Sequence, residues 1–135
     1  MSAMAWFGKD AEIALSRELT NRTSEIRAYA VYLLGSGGHD SAAVISALGQ
    51  SLRDEYPEVR RYAAISLGRL AKHPTIAVPA LGAALADESD DKVKEAIIYA
   101  LASYGTYGPE VRPEIEKALR SPNPEVRSAA AFCLR

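Results

Sequence analysis

Few residues of this chain combine the type and the spacing that covalent or metal chemistry requires. There are two histidines, His39 and His73, and one cysteine, Cys133. The histidines fall at nearly equivalent turns, but their neighbours Asp40 and Pro74 leave the ligand count too low for a metal. Both are expected as solvent-exposed turn residues. Cys133 has no histidine near it in sequence and falls on a small-residue edge of a core face, which is the place of a buried, inert thiol. There is no glycine-rich phosphate loop and no Ser/His/Asp spacing. The reading is therefore non-catalytic, with no metal and no cofactor. Arg27, Arg60, Lys94 and Arg127 recur like an anion-binding ladder. They border a core face, however, and read better as ties between adjacent turns. The side chains left over are aromatic, and their chemistry is recognition.

Those aromatic positions come from a repeat. The segment EVRRYAAISLGRL (58–70) returns as EIRAYAVYLLG (25–35), KVKEAIIYALASYG (92–105) and EVRSAAAFCLR (125–135). Its leading apolar residue is Ile26, Val59, Val93 and Val126, at steps of 33, 34 and 33. A fixed period in this range signals stacked units, none of which buries its apolar face alone. An earlier helix precedes each copy. Leu19, Leu52, Leu85 and Leu119 follow Leu15, Leu48, Leu81 and Ile115 at the i, i+4 spacing of one helical face.

The spacing predicts an all-α chain: an α-solenoid of four stacked antiparallel helix pairs in one domain over 1–135. The repeats fall roughly at 10–38, 41–73, 75–107 and 109–135. First helices are placed at roughly 10–20, 41–53, 75–87 and 110–120, and second helices at roughly 24–35, 57–70, 91–104 and 124–135. The turns within pairs hold TNRTS, DEYP, DESDD and SPNP. Gly35, Gly37 and Gly38 are expected to end the first pair through positive φ. Pro79 and Pro113 occupy one repeat position, read as near a helix start. Trp6 and Phe7 are expected to cap the N-terminal end, and Tyr104 to pack in a seam.

Within each second helix, at about 100° per residue, the marker and its +4 and +8 positions form a core face. It comprises Ile26/Ala30/Leu34, Val59/Ala63/Leu67, Val93/Ile97/Leu101 and Val126/Ala130/Leu134. Position +6 lies opposite and should be the most exposed, yet it holds Tyr32, Ile65, Tyr99 and Phe132. Helices about 8–10 Å apart would align these into a stripe roughly 25–30 Å long. Tyr29 and Tyr62 flank its first half, and Arg61, Arg69 and Glu95 supply a polar rim. Aromatic anchors with an arginine rim suit a protein interface.

Val59-Arg60, Ala63-Ala64 and Leu67-Gly68 form a pattern that resembles the HEAT repeat, in the short bacterial form also seen in phycobilisome lyase subunits. Ile26-Arg27, Ala30 and Leu34-Gly35 repeat it, as do Val126-Arg127, Ala129-Ala130 and Leu134; the third copy departs with Val93-Lys94 and Leu101-Ala102. The resemblance covers roughly residues 10–135. It implies that second helices line a concave side, where the stripe would take a peptide, helix or protein partner. The resemblance to bilin lyase subunits implies an alternative: holding a tetrapyrrole for transfer to a cysteine of another protein. A third reading, a basic groove gripping DNA as in HEAT-like glycosylases, is disfavoured by the mixed charges.

Composition agrees with these readings. The chain has 135 residues, 48% apolar and 24% charged, with net charge −1, so no overall basic character points to nucleic acid. One cysteine allows no internal disulfide and fits a reducing, cytoplasmic setting. The start MSAMAWFGKDAEIALS lacks the pattern of a signal peptide, and no apolar run reaches membrane-spanning length. Arg135 ends the fourth copy before the continuation seen at Leu70; on this reading either the chain is a fragment of a longer solenoid, or this end packs on another molecule, as in a homo-oligomer joined through the C-terminal end.

Overall fold

Helix boundaries in this chain follow from its caps. Ser41, Asp90 and Asn123 accept the backbone N–H groups of Val44, Val93 and Val126 through their side chains, and Pro57, Pro74 and Pro124 open their helices. In a computed structural model that describes residues 8–105 and 107–135, the elements are all helical. They are α1 (Lys9–Arg17, continued by a 3₁₀ turn Glu18–Thr20), α2 (Ser24–Ser36), α3 (Ala42–Ser51), α4 (Pro57–Leu70), α5 (Pro74–Asp87), α6 (Asp91–Tyr104), α7 (Arg112–Ala118) and α8 (Pro124–Cys133). Trp6 and Phe7 lie outside the described residues.

The even-numbered helices stack in order, α2 on α4 on α6 on α8, and the odd-numbered helices form a second layer beside them, α1, α3, α5, α7. Each row supplies one helix of every antiparallel pair, and the core lies between the rows. Leu34, Leu48, Leu67, Leu81, Ile97, Leu101 and Ile115 are fully buried there. A single pair could not enclose these side chains, so the stack supplies the burial.

Close approach within the even row depends on glycine. A methyl at Gly35 would lie 2.6 Å from Ser66 Cβ and 2.9 Å from its Cα, and one at Gly68 would lie 2.9 Å from Ala100 Cα. Gly35 therefore serves packing rather than chain reversal. Of the three glycines expected to end the first pair, Gly38 has positive φ (73°), whereas Gly35 is helical and Gly37 has φ −81°. The next two junctions turn through Ala71 (φ 47°), His73 (φ 52°) and Gly105 (φ 74°).

Four other expectations are corrected. His39 is buried, not exposed: the turn after Gly38 folds it inward beside Glu12, with Nδ1 3.9 Å from Oε1. His73 is exposed as expected, and its Nε2 lies 3.1 Å from the Asp40 carbonyl. Ile26, placed on the core face, is 42% exposed, because among the described residues α2 has an even-row neighbour on one side only. Leu119 is likewise exposed at the other end of the odd row. Pro79 lies inside α5, five residues past the first, on its exposed side. Tyr104 does reach across a seam, donating its hydroxyl to the Lys72 carbonyl at 2.7 Å.

Candidate functional site

Position +6 of each even helix points away from the core and builds one face of the molecule. Tyr32 is 40% exposed, Tyr99 41% and Phe132 49%, while Ile65 is half-buried. The stripe divides into two aromatic pairs. Tyr32 meets Tyr62 edge to face, with ring centroids 5.9 Å apart, and Tyr99 meets Phe132 at 5.6 Å. Ile65 lies between them in the row and lines one groove with Tyr99, and position +6 is not, as expected, the most exposed one. Tyr29, at +3, stands out furthest at 66% exposed.

Arginines gather on these rings. The Arg69 guanidinium lies 5.8 Å from the Tyr32 centroid, Arg61 lies 5.9 Å from Tyr62, and Arg135 lies 5.6 Å from Phe132. Between α4 and α6 this leaves a groove of about 420 Å³. Ile65, Ala64, Gly68, Ala96 and Ala100 form its apolar lining, with Tyr99 at its side. Arg61, Arg69 and Lys92 face it against the single carboxylate of Glu95. The groove exists because Gly68 lets α4 approach α6 and because position +3 shrinks from Tyr62 to Ala96. Lys92 is a member the sequence reading missed. The signal was there: the residue before each marker is Glu25, Glu58, Lys92 and Glu125, and only the third copy reverses the charge.

Two of the four recurring cations, Arg27 and Arg60, tie adjacent repeats together; Lys94 and Arg127, expected to do the same, make no such tie among the described residues. Arg27 donates to Asp54 from Nε at 2.8 Å and from Nη2 at 3.1 Å, and Arg60 donates to Glu88 from the same atoms at 2.9 and 3.0 Å. Each also donates Nη1 to a carbonyl of its own turn, Asn21 and Asp54 respectively. Burial works to raise the Asp54 carboxyl, but the Arg27 hydrogen bonds, the Tyr56 amide and the charges of Arg27 and Arg60 outweigh it and hold it below the ordinary range. Among the described residues, Lys94 approaches only Asp91, within its own helix. Arg127 repeats the carbonyl bond, to Ser121 at 2.7 Å, and no carboxylate among the described residues pairs with it.

Cys133 is buried, and burial pushes its thiol above the ordinary range against a smaller opposing effect of Tyr107. That disfavours the thiolate a nucleophile needs. Among the described residues, no group of three His, Cys, Asp or Glu side chains could hold a metal ion. No helix there is long and apolar enough to cross a membrane.

Comparison with known proteins agrees with this architecture. The family model described as HEAT repeats matches residues 13–102 and 78–135. A chain of the complex of CpcE and CpcF of phycocyanin lyase from Nostoc sp. PCC7120 is similar with a TM-score of 0.79 at 21% identity, over 98% of this chain and 86% of its own. An engineered protein is similar with a TM-score of 0.69 at 24% identity, over 94% of this chain and 62% of its own. At such identities the likeness is one of fold. No curated protein matches the sequence significantly.

Proposed function

This chain belongs to the HEAT-repeat family, and from that premise we propose that it is a binding subunit of the bilin-lyase type, which holds a tetrapyrrole on the even-helix face. The observation that carries this reading is the α4/α6 groove. A linear tetrapyrrole is a long conjugated ring system with two propionate carboxylates. The groove offers an apolar floor and one aromatic side, with three cations against one anion at its edge. Tyr99 and Ile65 would pack on the rings, and Arg61, Arg69 and Lys92 would pair with the carboxylates. The structural likeness to a phycocyanin lyase complex supports the same class. The role assigned to this chain is holding and presenting; the transfer itself is not assigned to any of its residues.

A bilin titration tests this. Saturable changes in the visible absorbance of biliverdin are expected, and Arg61→Glu/Arg69→Glu should weaken them about tenfold or more, as losing two charge-assisted contacts implies. An unchanged bilin spectrum, or equal binding by the variant, would defeat the proposal.

The stripe itself favours a second reading, a non-catalytic scaffold for a peptide, helix or protein. Tyr29, Tyr32, Tyr62, Ile65, Tyr99 and Phe132 form a part-exposed apolar band with Arg61, Arg69 and Glu95 beside it. Full burial of each large side chain would contribute about 1.5–3 kcal/mol. A pull-down comparing wild type with Tyr32→Ser/Tyr99→Ser distinguishes the readings. A protein captured only by wild type, with no bilin response, favours the scaffold.

A further inference from the structure

A second hollow lies on the same face, between α2 and α4, and its chemistry is the reverse of the first. Its volume is about 380 Å³ and its lining is Glu25, Ala28, Tyr29, Tyr32, Glu58 and Tyr62. It shares no side chain with the α4/α6 groove. We propose that this hollow receives an arginine side chain presented by a protein partner.

Three observations point to a guanidinium. The first is the wall: Tyr32 and Tyr62 meet at 72° and form an aromatic corner, and Tyr29 stands exposed beside it. Ring faces attract cations, and a planar guanidinium also stacks on them. The second is the edge. Glu25 and Glu58 are exposed, and neither makes an ion pair or hydrogen bond with the described residues. No cation lines the hollow. Both carboxylates stand in the first turn of a helix, a place where acidic residues are common. That placement accounts for two glutamates but not for three tyrosines around them. The third is internal precedent: these rings already attract guanidinium groups, Arg69 at Tyr32 and Arg61 at Tyr62, and neither arginine lines the hollow.

Arginine fits better than lysine because its planar fork can pair with a carboxylate while its plane rests on a ring. This inference does not rest on tetrapyrrole binding, since the two hollows use different residues.

The test is a titration of the whole chain with the blocked peptide acetyl-Gly-Arg-Gly-amide, followed by NMR of the tyrosine rings. The citrulline peptide is the uncharged isostere. Saturable shifts confined to Tyr29, Tyr32 and Tyr62 are expected, with the citrulline peptide weaker by about tenfold or more, as loss of the charge implies. Glu25→Gln/Glu58→Gln should weaken arginine binding similarly while lowering the unfolding midpoint only slightly, as loss of two first-turn charges implies, and with the helical circular dichroism intact. No saturable shift, equal binding of the two peptides, or shifts centred on Tyr99 and Phe132 would each overturn the proposal. The biliverdin titration of the same Glu25→Gln/Glu58→Gln protein should be unaltered, which separates failure here from failure of the tetrapyrrole reading.

Discussion

Replacing Arg60 with alanine should cost this protein a large part of its stability, and the cost can be reasoned from the seam. The side chain makes two hydrogen bonds to Glu88 and one to the Asp54 carbonyl. The Glu88 side chain is only 4% exposed. Without Arg60 its carboxylate would keep one partner, the Asp90 amide at 3.0 Å. Breaking a buried pair from one side costs about 3–5 kcal/mol. Arg60 is itself slightly exposed, and water can enter the gap it leaves, so about 2–3 kcal/mol is the better figure. Against a total stability of about 5–15 kcal/mol that is a large share. With a urea slope near 2 kcal/mol per molar, the midpoint should fall by about 1–1.5 M. Arg53→Ala is the control. Its pair with Asp87 is 61% and 72% exposed, and its loss should cost about 0.5 kcal/mol or less. Adding Glu88→Gln to Arg60→Ala should restore part of the loss, because the stranded group is then neutral. If Arg60→Ala unfolds with the same midpoint as Arg53→Ala, the ladder does not hold the repeats together and the reasoning fails.

Other perturbations separate packing from recognition. Gly68→Ala would drive a methyl against the Ala100 backbone and should destabilise by about 1–3 kcal/mol despite alanine's better helix propensity; a raised melting temperature would contradict the close approach. Tyr32→Ser/Tyr99→Ser should leave helical circular dichroism intact and the melting temperature nearly so, since both rings are about two-fifths exposed; loss of folding would make them core residues. Because the folded Asp54 carboxyl is held below its unfolded value, its contribution is complete above the ordinary aspartate range and disappears as pH falls through the depressed value. Asp54→Asn should therefore flatten part of the acid limb of a stability–pH curve, and an unaltered limb would contradict the assignment.

The period of the chain determined most of the architecture by itself. Its steps, the i, i+4 leucines and the caps located eight helices, and α4 and α6 begin and end at the predicted residues. Periodicity reports what each helix turns inward, and it needs no knowledge of the neighbour. The +6 stripe was legible for the same reason, as the side opposite the core face. What required the tertiary structure is everything set by two elements at once. Gly35 looks like a chain terminator until Ser66 of the next repeat lies against it. His39 looks like a turn residue until its turn folds beside Glu12. Ile26 obeys the core pattern and is exposed, because burial depends on whether a neighbour stands on that side. Above all, the sequence presents one aromatic stripe with mixed charges, whereas the stack divides it into an anionic hollow and a cationic groove. Charges far apart in the chain become lining partners only when adjacent helices bring them to the same crevice, and that is a property of packing, not of any one repeat.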